Sequence, residues 1–396
     1  MALPRPALST EVEAAWRFLQ LNWLVCAAIT AVLALSLLVT GFSLALPGVA
    51  VAIGYTGIYG GFAHANAASP KRRDPQVMFV LAALAQIALI AAVMTPLTYV
   101  AAAPNLPLQD ANLLAIDRAL GLDWAAYVRC VNDHPVLAAW LGYGYNMIRW
   151  QVFAVPVVLA AKGLYRRIAE FLFAFGLALI ATTIISALVP AIGVYQQIGL
   201  DPASLPNIEA GAYLEQLRDL PPTRDGTLRH LDLLGLAGIV TFPSFHAASA
   251  VLYSWALWGA RWMRPIVVVA NGALLLGTPI VGGHYFIDIF AGVAVAVVAI
   301  AVSRRVGRMV ARRQAGFAAT AMPAVPAEWY QQLESILARR TAGVDHGDVV
   351  GIDAAPAAIP AAVPAEWYRQ LESILARGAA GVDDGDVVGI DAAPTR

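Results

Sequence analysis

Residues Gly282–Ser303 read GGHYFIDIFAGVAVAVVAIAVS, and stretches of this kind decide the fold. A helix needs about 20 predominantly apolar residues to cross the hydrocarbon core of a bilayer. This stretch is long enough, and it carries a histidine and an aspartate at its start. The whole chain is 59% hydrophobic and 13% charged, with a mean hydropathy of +0.66. These values exclude an ordinary soluble domain and predict an all-α, polytopic bundle of transmembrane helices.

Similar apolar stretches recur along the chain and give about eight predicted spans. They are Leu21–Ser43, Leu44–Ala65, Gln76–Ala102, Val136–Ala161, Ile168–Ile192, Phe245–Ala260, Pro265–Val281 and His284–Ser303. Three spans fill residues 1–105, and five form a membrane core over residues 106–303. Residues 304–396 form a tail with two near-identical repeats, 325–356 and 363–394. Two interpretations of the repeats stay open, a solvated duplicated tail and short amphipathic helices on the membrane surface.

Basic residues cluster after every second span, which predicts the orientation of the chain. The clusters are Lys71–Arg73, Lys162–Arg167, Arg261–Arg264 and Arg304–Arg313. Short cytoplasmic loops carry an excess of lysine and arginine, so both termini and the tail are expected in the cytoplasm. Segments 103–135 and 195–241 then face outward, toward a periplasm or lumen. The first of these outer segments carries a predicted helix at Trp124–Asn132.

Two spans begin with histidines at the predicted outer face, where ionisable groups are expensive and therefore candidates for function. Pro243 and Ser244 suit a helix start, whose free backbone N–H groups favour an anion such as phosphate, and His246 follows at once. His284 and Asp288 are four residues apart, so one helix face can bring them together. The carboxylate would fix the imidazole tautomer and make the other ring nitrogen more basic. The pattern predicts a nucleophile at His284 and a general acid at His246.

Other interpretations of these residues stay open at this stage. A histidine in a span is often a packing residue, and His246, His284 and Asp288 could instead bind zinc. A third alternative is a non-enzymatic transporter or lipid-binding protein that uses the histidines as a proton relay. The helix-opening Pro-Ser-x-His pattern favours the catalytic interpretation, because a relay does not need it.

The two histidine stretches also resemble a known family. Phe242–Ala248 (FPSFHAA) and Gly282–Gly292 (GGHYFIDIFAG) are similar to the second and third signature motifs of the type 2 phosphatidic acid phosphatase superfamily. They are most similar to its inositol-phosphorylceramide synthase-like branch. The resemblance implies an integral-membrane lipid phosphatase or phosphotransferase. In such an enzyme His284 would form a phosphohistidine, Asp288 would activate it, and His246 would be the acid.

The resemblance covers about residues 106–303, and the chain departs from the family in the groups that hold phosphate. Phe245 replaces a glycine that is usual in the phosphatases, and Gly277 and Thr278 replace the serine and arginine that precede the third-motif histidine. A KxxxxxxRP first motif is missing as well. The candidate phosphate-binding residues are Ser244, Arg149, Arg224 and Arg229, with His230 beside them.

The expected partners follow from the composition and the resemblance. The substrate class is a phosphorylated lipid or phospholipid in a bacterial-type inner or plasma membrane, and no metal or organic cofactor is implied. The formal net charge is +0, and no basic face of the kind that nucleic acid requires is evident. The sequence leaves any protein partners unknown.

Overall fold

The computed structural model describes residues 9–69 and 73–321, which form a helical bundle with one pair of two-residue strands. The helices are α1 (Thr10–Thr40), α2 (Leu46–Ala68), α3 (Pro75–Ala102), α4 (Asp110–Ala119), α5 (Trp124–Asn132), α6 (Pro135–Asn146), α7 (Ile148–Ala161), α8 (Tyr165–Leu188), α9 (Val194–Ile198), α10 (Gly211–Asp225), α11 (Phe245–Leu257), α12 (Arg264–Val281) and α13 (Phe286–Ala321). Strands β1 (Ser43–Leu44) and β2 (His230–Leu231) pair in parallel. The predicted all-α, polytopic fold is confirmed. Lys71, Arg72 and the tail repeats lie outside the described residues.

Six helical segments in the described ranges are long and apolar enough to cross a membrane. They are α1, α2, α3, α8, Arg261–Val281 and Phe286–Gln314. The other two predicted spans differ from expectation, because Val136–Ala161 divides at Met147 into α6 and α7, and α11 has only 13 residues. At 1.5 Å per residue α11 is about 20 Å long, less than the roughly 30 Å of a hydrocarbon core. Neither stretch is therefore one long spanning helix, although α11 begins at the predicted Phe245 and α7 ends at the predicted Ala161.

Close packing of α6 against α12 accompanies the division at Met147. Gly144 lies against Ala273, and Gly277 lies against the carbonyl oxygen of Leu141, so a Cβ atom at either glycine would collide with its neighbour. Small residues permit such approach between helices in lipid, where packing contacts drive association. This packing explains why position 277 is a glycine rather than a serine, because the serine Cβ would collide with the α6 backbone.

The two largest clusters of buried side chains pack the membrane helices together and support the site. The larger cluster lies between α1, α3, α7, α8, α11 and α13 and includes Phe79 and Phe171. The second cluster joins α5, α9, α10 and α12, and it contains Trp124, Tyr195 and Tyr285. The rings of Trp124 and Tyr195 meet edge to face with centroids 4.7 Å apart, an arrangement that aromatic pairs prefer. This second cluster holds the loop that carries His284.

The basic clusters that follow the fourth and eighth predicted spans lie together at one end of the bundle. Arg166 and Arg167 line the same cavity as Arg304. The Arg167 guanidinium covers the ring of Trp255 at 4.4 Å, near the end of α11. His246 stands at the start of α11, so the histidines and these arginines occupy opposite ends. Which end faces the cytoplasm stays a prediction.

The segments that connect the spans at the histidine end contain more helix than their sequence indicated. The predicted helix Trp124–Asn132 is confirmed as α5. Segment 195–241, which is rich in turn-forming residues, contains the 15-residue helix α10 with Pro221 and Pro222 inside it. Its buried side chains pack beside the loop before α13, so tertiary contacts outweigh the helix-breaking tendency of proline.

Candidate active site

His284 and Asp288 form a buried pair at the start of α13. His284 Nδ1 lies 3.1 Å from Asp288 Oδ2, and the side chains are 4% and 0% exposed. Asp288 Oδ2 also accepts a hydrogen bond of 2.9 Å from the backbone N–H of Tyr285. One correction concerns the geometry, because His284 lies in the turn before α13 rather than on the helix. The Asp288 carboxylate, in the first turn of α13, accepts a hydrogen bond from His284 Nδ1. Nδ1 is therefore the protonated ring nitrogen, and Nε2 is the basic one.

Two glycines give the His284 loop its shape. A Cβ atom at Gly282 would come within 2.6 Å of His284 Cδ2, so any side chain there would displace the imidazole. Gly283 has a φ of +65°, a conformation that other residues rarely adopt. The Gly283 carbonyl oxygen accepts a 2.9 Å hydrogen bond from Val194 N–H, and the His284 carbonyl oxygen accepts one of 3.2 Å from Trp124 Nε1. The loop is thus held from α9 and from α5.

His246 enters the site from α11, whose start is joined to α13. Ser244 is the N-cap of α11, and its Oγ accepts a 3.3 Å hydrogen bond from Ala247 N–H. The backbone N–H of Ser244 donates to the Asp288 carbonyl oxygen at 3.0 Å. This bond connects the two motifs directly, and it brings the ring centroids of His246 and His284 to within 6.4 Å of each other.

Tyr145 is a neighbour of His246 that the sequence did not single out. The two rings stack at 4.2 Å with an interplanar angle of 12°, and Tyr145 Oη lies 3.5 Å from His246 Nδ1. Because α6 carries Tyr145 and α7 carries Arg149, the division at Met147 places both along one wall of a cavity. The stacking fixes the plane of the His246 imidazole.

Two buried aspartates on α4 brace the site, and sequence reasoning missed both. Asp117 accepts hydrogen bonds of 2.8 Å from the backbone N–H groups of Phe286 and Ile287. A side chain on α4 therefore caps the start of α13. Burial raises the pKa of Asp117, and the two backbone donors partly offset this shift. Asp110 accepts a 2.9 Å hydrogen bond from Tyr285 Oη, so the residues that flank Asp288 are held at two points.

Asp110 also binds the loop that precedes α9. Its carboxylate accepts hydrogen bonds from the backbone N–H groups of Ile192 at 3.1 Å and of Gly193 at 2.9 Å. A signal for both aspartates existed, because Asp110 and Asp117 are seven residues apart. That spacing places them two turns apart on one face of α4.

A cavity of about 1030 Å³ lies between α6, α7, α10 and the end of α12. Its lining includes Tyr145, which stacks on His246, but neither of the two histidines themselves. Its polar lining includes Tyr145, Asn146, Arg149, Asn207, Glu209 and Glu215. The volume is at the upper end of the range for small-molecule sites. Of the predicted phosphate-binding arginines, Arg149 lines this cavity.

The other predicted phosphate-binding residues are used in contacts elsewhere. Arg224 Nη2 donates to the carbonyl oxygen of Leu106 at 2.7 Å. Arg229 Nη1 donates to the carbonyl oxygen of Thr223 at 2.7 Å, and its guanidinium covers the ring of Phe42 at 4.4 Å. Within residues 9–69 and 73–321, neither arginine shares a hydrogen bond or ion pair with His246 or His284. Their role in binding phosphate stays a prediction.

His230 and Phe245 also take up packing positions. His230 Nδ1 lies 2.9 Å from Ser43 Oγ, beside the pairing of β1 with β2. The ring of Phe245 meets the ring of Phe175 on α8 edge to face, with centroids 5.3 Å apart. The phenylalanine in place of the usual glycine therefore contributes to the contact between α11 and α8. Among the described residues there is also no group of three or more His, Cys, Asp and Glu side chains that could hold a metal ion.

The fold and the site together define a polytopic helical membrane protein with a buried histidine–aspartate pair beside a second histidine. Residues 111–302 match the family model of the PAP2 superfamily, and this range contains all three side chains. Members of that superfamily are generally phosphatases or phosphotransferases, so the match indicates an enzyme that acts on phosphoric esters. No curated protein and no solved structure matches the chain.

Proposed function

We propose that this chain is a lipid phosphatase or phosphotransferase that works through a phosphohistidine at His284. The observation that carries the proposal is the contact of 3.1 Å between His284 Nδ1 and Asp288 Oδ2, with His246 on the adjoining helix start. A nucleophile, a carboxylate that orients it and a separate acid are the three parts that covalent phosphoryl transfer requires. We further propose the inositol-phosphorylceramide synthase-like branch, on the similarity of the two motifs.

The first step transfers the phosphoryl group from the donor lipid to the enzyme. His284 Nε2 attacks phosphorus, the N–P bond forms, and the bond from phosphorus to the leaving lipid oxygen breaks. Protonated His246 gives its proton to that oxygen, so the lipid alcohol leaves neutral. Asp288 stabilises the positive charge that develops on the His284 ring, because it accepts the Nδ1 proton as a hydrogen bond.

The second step returns His284 to its starting state. An acceptor hydroxyl attacks phosphorus, neutral His246 takes the acceptor's proton, and the N–P bond breaks. Water as acceptor makes the enzyme a phosphatase, and an alcohol makes it a phosphotransferase. Because Phe245 packs against Phe175, its ring does not by itself select between these acceptors.

Four features support the placement of phosphate between the histidines. The backbone N–H groups of Phe245 and His246 lie in the first turn of α11, where no preceding helical carbonyl accepts them. The positive end of the α11 dipole favours an anion at the same place. Ser244 uses its Oγ lone pair in the cap, so its hydroxyl proton stays available as a donor. Arg149 lines the cavity on the same side as Tyr145 and is the proposed charge partner of the phosphate.

An apolar groove beside the polar cavity supports a lipid substrate. The groove has a volume of about 440 Å³ and lies between α6 and α12, facing the lipid side of the bundle. Tyr143 and Met147 line both the groove and the cavity, so the two spaces adjoin. We assign the groove to an acyl chain and the cavity to the head group, with phosphorus at the histidines.

The orientation is part of the proposal. The positive-inside distribution puts the arginine end of the bundle in the cytoplasm, and therefore the histidine pair at the outer face. A donor lipid would then be taken from the outer leaflet.

The proposal is tested with purified protein in detergent, a phosphate-labelled lipid donor, and a set of candidate alcohol acceptors. Wild-type protein should release or transfer label, and His284→Gln should do neither. A product that changes from free phosphate to a new phospholipid when an acceptor is added identifies a phosphotransferase. Full turnover by His284→Gln would contradict the mechanism.

The lipid assignment has its own matched pair of variants on α12. Ala270 lines the apolar groove, whereas Val268 is 57% exposed and lies outside its lining. Ala270→Trp should raise KM for a long-chain donor and leave a short-chain, water-soluble phosphate ester unaffected. Val268→Trp should change neither. Equal KM values for the long-chain donor in both variants would rule out the groove as the acyl site.

A further inference from the structure

A second polar cavity lies at the end of the bundle opposite the histidines. It has a volume of about 430 Å³ and lies between the start of α1, the turn before α8, and α13. Its charged lining consists of Glu11, Arg166, Arg167, Glu170, Arg304 and Arg308. None of these residues takes part in the proposed phosphoryl transfer, so the cavity calls for a separate explanation.

The charge of this cavity is only partly neutralised by the protein. Four arginines face two glutamates, which leaves a formal charge of +2. Glu170 pairs with Arg166 at 2.9 Å and lies 3.9 Å from Arg167. No ion pair of Arg304 or Arg308 is found in the described part of the chain. Two arginines on α13 therefore have charge available for an anionic ligand.

Arg166 and Arg167 are held in fixed positions, Arg166 by Glu170 and Arg167 over the ring of Trp255. Glu170 is only 4% exposed, and its carboxylate accepts the Arg166 Nε–H bond. The backbone carbonyl oxygen of Glu170 accepts a 2.6 Å hydrogen bond from Ser303 Oγ, which ties α8 to α13 next to Arg304. A guanidinium that is held through Nε keeps its terminal N–H groups free for another acceptor. The cavity is thus organised before any ligand arrives.

The position along α13 places the cavity at the height of lipid head groups. Arg304 follows Phe286 by 18 residues, or about 27 Å at 1.5 Å per residue. That distance is close to the roughly 30 Å of a hydrocarbon core. Basic pockets between membrane helices at this depth suit phospholipid head groups, and guanidinium groups bind phosphate in a bidentate manner.

We propose that this cavity binds the phosphate head group of an anionic phospholipid, as a site separate from the histidines. The Arg304 and Arg308 side chains supply the unpaired charge, and Arg166 and Arg167 supply positioned donors. The ligand is a lipid of the leaflet at the arginine end, which the bundle holds as a bound component rather than as a substrate.

The test compares two double variants that each remove two positive charges from α13. Arg304→Gln with Arg308→Gln removes charge from the cavity. Arg305→Gln with Arg312→Gln is the matched control, because both residues are exposed and lie outside the cavity lining. Binding is measured by native mass spectrometry of the full-length protein in nonionic detergent. The probes are phosphatidylglycerol, phosphatidylcholine with the same acyl chains, and inorganic phosphate.

Wild-type protein and the control variant should bind one phosphatidylglycerol tightly and in preference to phosphatidylcholine. The cavity variant should bind it about 30-fold more weakly, which corresponds to about 1 kcal/mol for each arginine near a membrane surface. Lipid held at the histidine end would give binding that neither pair of substitutions changes. Equal affinities in the two variants would therefore overturn the proposal. Displacement of phosphatidylglycerol by low millimolar inorganic phosphate would overturn the assignment to a lipid.

Each variant is also checked for folding, by gel filtration and by turnover at the histidine end. The cavity variant should keep wild-type turnover, since Arg304 and Arg308 lie about 27 and 33 Å along α13 from its start, at 1.5 Å per residue. Should Arg304→Gln with Arg308→Gln fail to fold, Arg304→Lys with Arg308→Lys keeps the charge and loses the bidentate geometry. That variant should bind phosphatidylglycerol more weakly than wild type, and unchanged binding would overturn the proposed phosphate contact.

Discussion

Replacing Asp117 by asparagine tests how the site is held in place. The side chain lies on α4, far from the histidines in sequence, and its two oxygens accept the backbone N–H groups of Phe286 and Ile287 at 2.8 Å. Asparagine has almost the same shape but only one acceptor oxygen. One N–H group would lose its charge-assisted hydrogen bond and face an amide NH₂ group instead. Such bonds contribute about 1.5–3 kcal/mol, so we expect a loss of about 2 kcal/mol in the free energy of unfolding.

The same change should lower activity, because the two N–H groups lie between His284 and Asp288 in sequence. A shift of about 1 Å in a catalytic group can reduce the rate about 100-fold. We therefore expect kcat to fall by one to two orders of magnitude for Asp117→Asn, with a smaller effect on KM.

The assays are unfolding in mixed detergent micelles and turnover of a labelled lipid donor. Asp123→Asn is the matched control, because Asp123 also caps a helix. Its carboxylate accepts a 2.9 Å hydrogen bond from Ala126 N–H, but at the exposed start of α5. Asparagine is as good an N-cap as aspartate, so this control should stay near wild type in both assays. Wild-type stability and kcat in Asp117→Asn would refute the role of α4 as a brace.

Three further outcomes are expected. Arg218 donates to both oxygens of Asp219 at 2.6 and 2.9 Å and lowers the pKa of that carboxyl group. The stability from this pair is therefore present above the unfolded pKa of about 3.9 and lost as pH falls through the lower folded pKa. Arg218→Gln should reduce the thermal midpoint at pH 7 and hardly change it at pH 2, and equal reductions at both pH values would contradict the pairing. Single cysteines at Asp225→Cys and Lys162→Cys, in a background lacking both native cysteines, test the orientation in right-side-out vesicles. An impermeant thiol reagent added outside should label Asp225→Cys but not Lys162→Cys. Labelling of both from that side would refute the predicted orientation. Removal of residues 322–396 should leave turnover nearly intact, and a loss beyond about tenfold with unchanged expression would show that the tail belongs to the catalytic unit.

Hydropathy predicted the membrane helices well where one helix crosses the bilayer without interruption. The apolar stretch Gln76–Ala102 became α3 (Pro75–Ala102), because composition alone determines such a helix in lipid. The break at Met147 could not be predicted in this way. It accompanies the contact of Gly144 with Ala273 on α12, and that contact depends on how two distant helices pack. The α10 helix was missed for the same reason, since its prolines indicated turns.

Local spacing predicted the centre of the site, whereas its support came from distant parts of the chain. The four-residue separation of His284 and Asp288 was sufficient to predict their pairing, although the histidine lies before the helix. Asp110 and Asp117 act through backbone N–H groups about 80 and 170 residues away, and sequence patterns do not encode such pairings. Tyr145 was missed likewise, because its stacking on His246 depends on the meeting of α6 and α11.

Detection of the covalent intermediate tests the central claim most directly. Brief incubation of purified protein with a donor lipid labelled in its phosphate, followed by denaturation, should leave label on the protein that is acid-labile and alkali-stable. The proposed mechanism predicts that His284→Gln abolishes this label and turnover together. His246→Ala should slow formation of the label by about 100-fold or more, as expected for a lost general acid. Labelled protein in the His284→Gln variant, or rapid turnover of wild-type protein without any labelled intermediate, would contradict the mechanism.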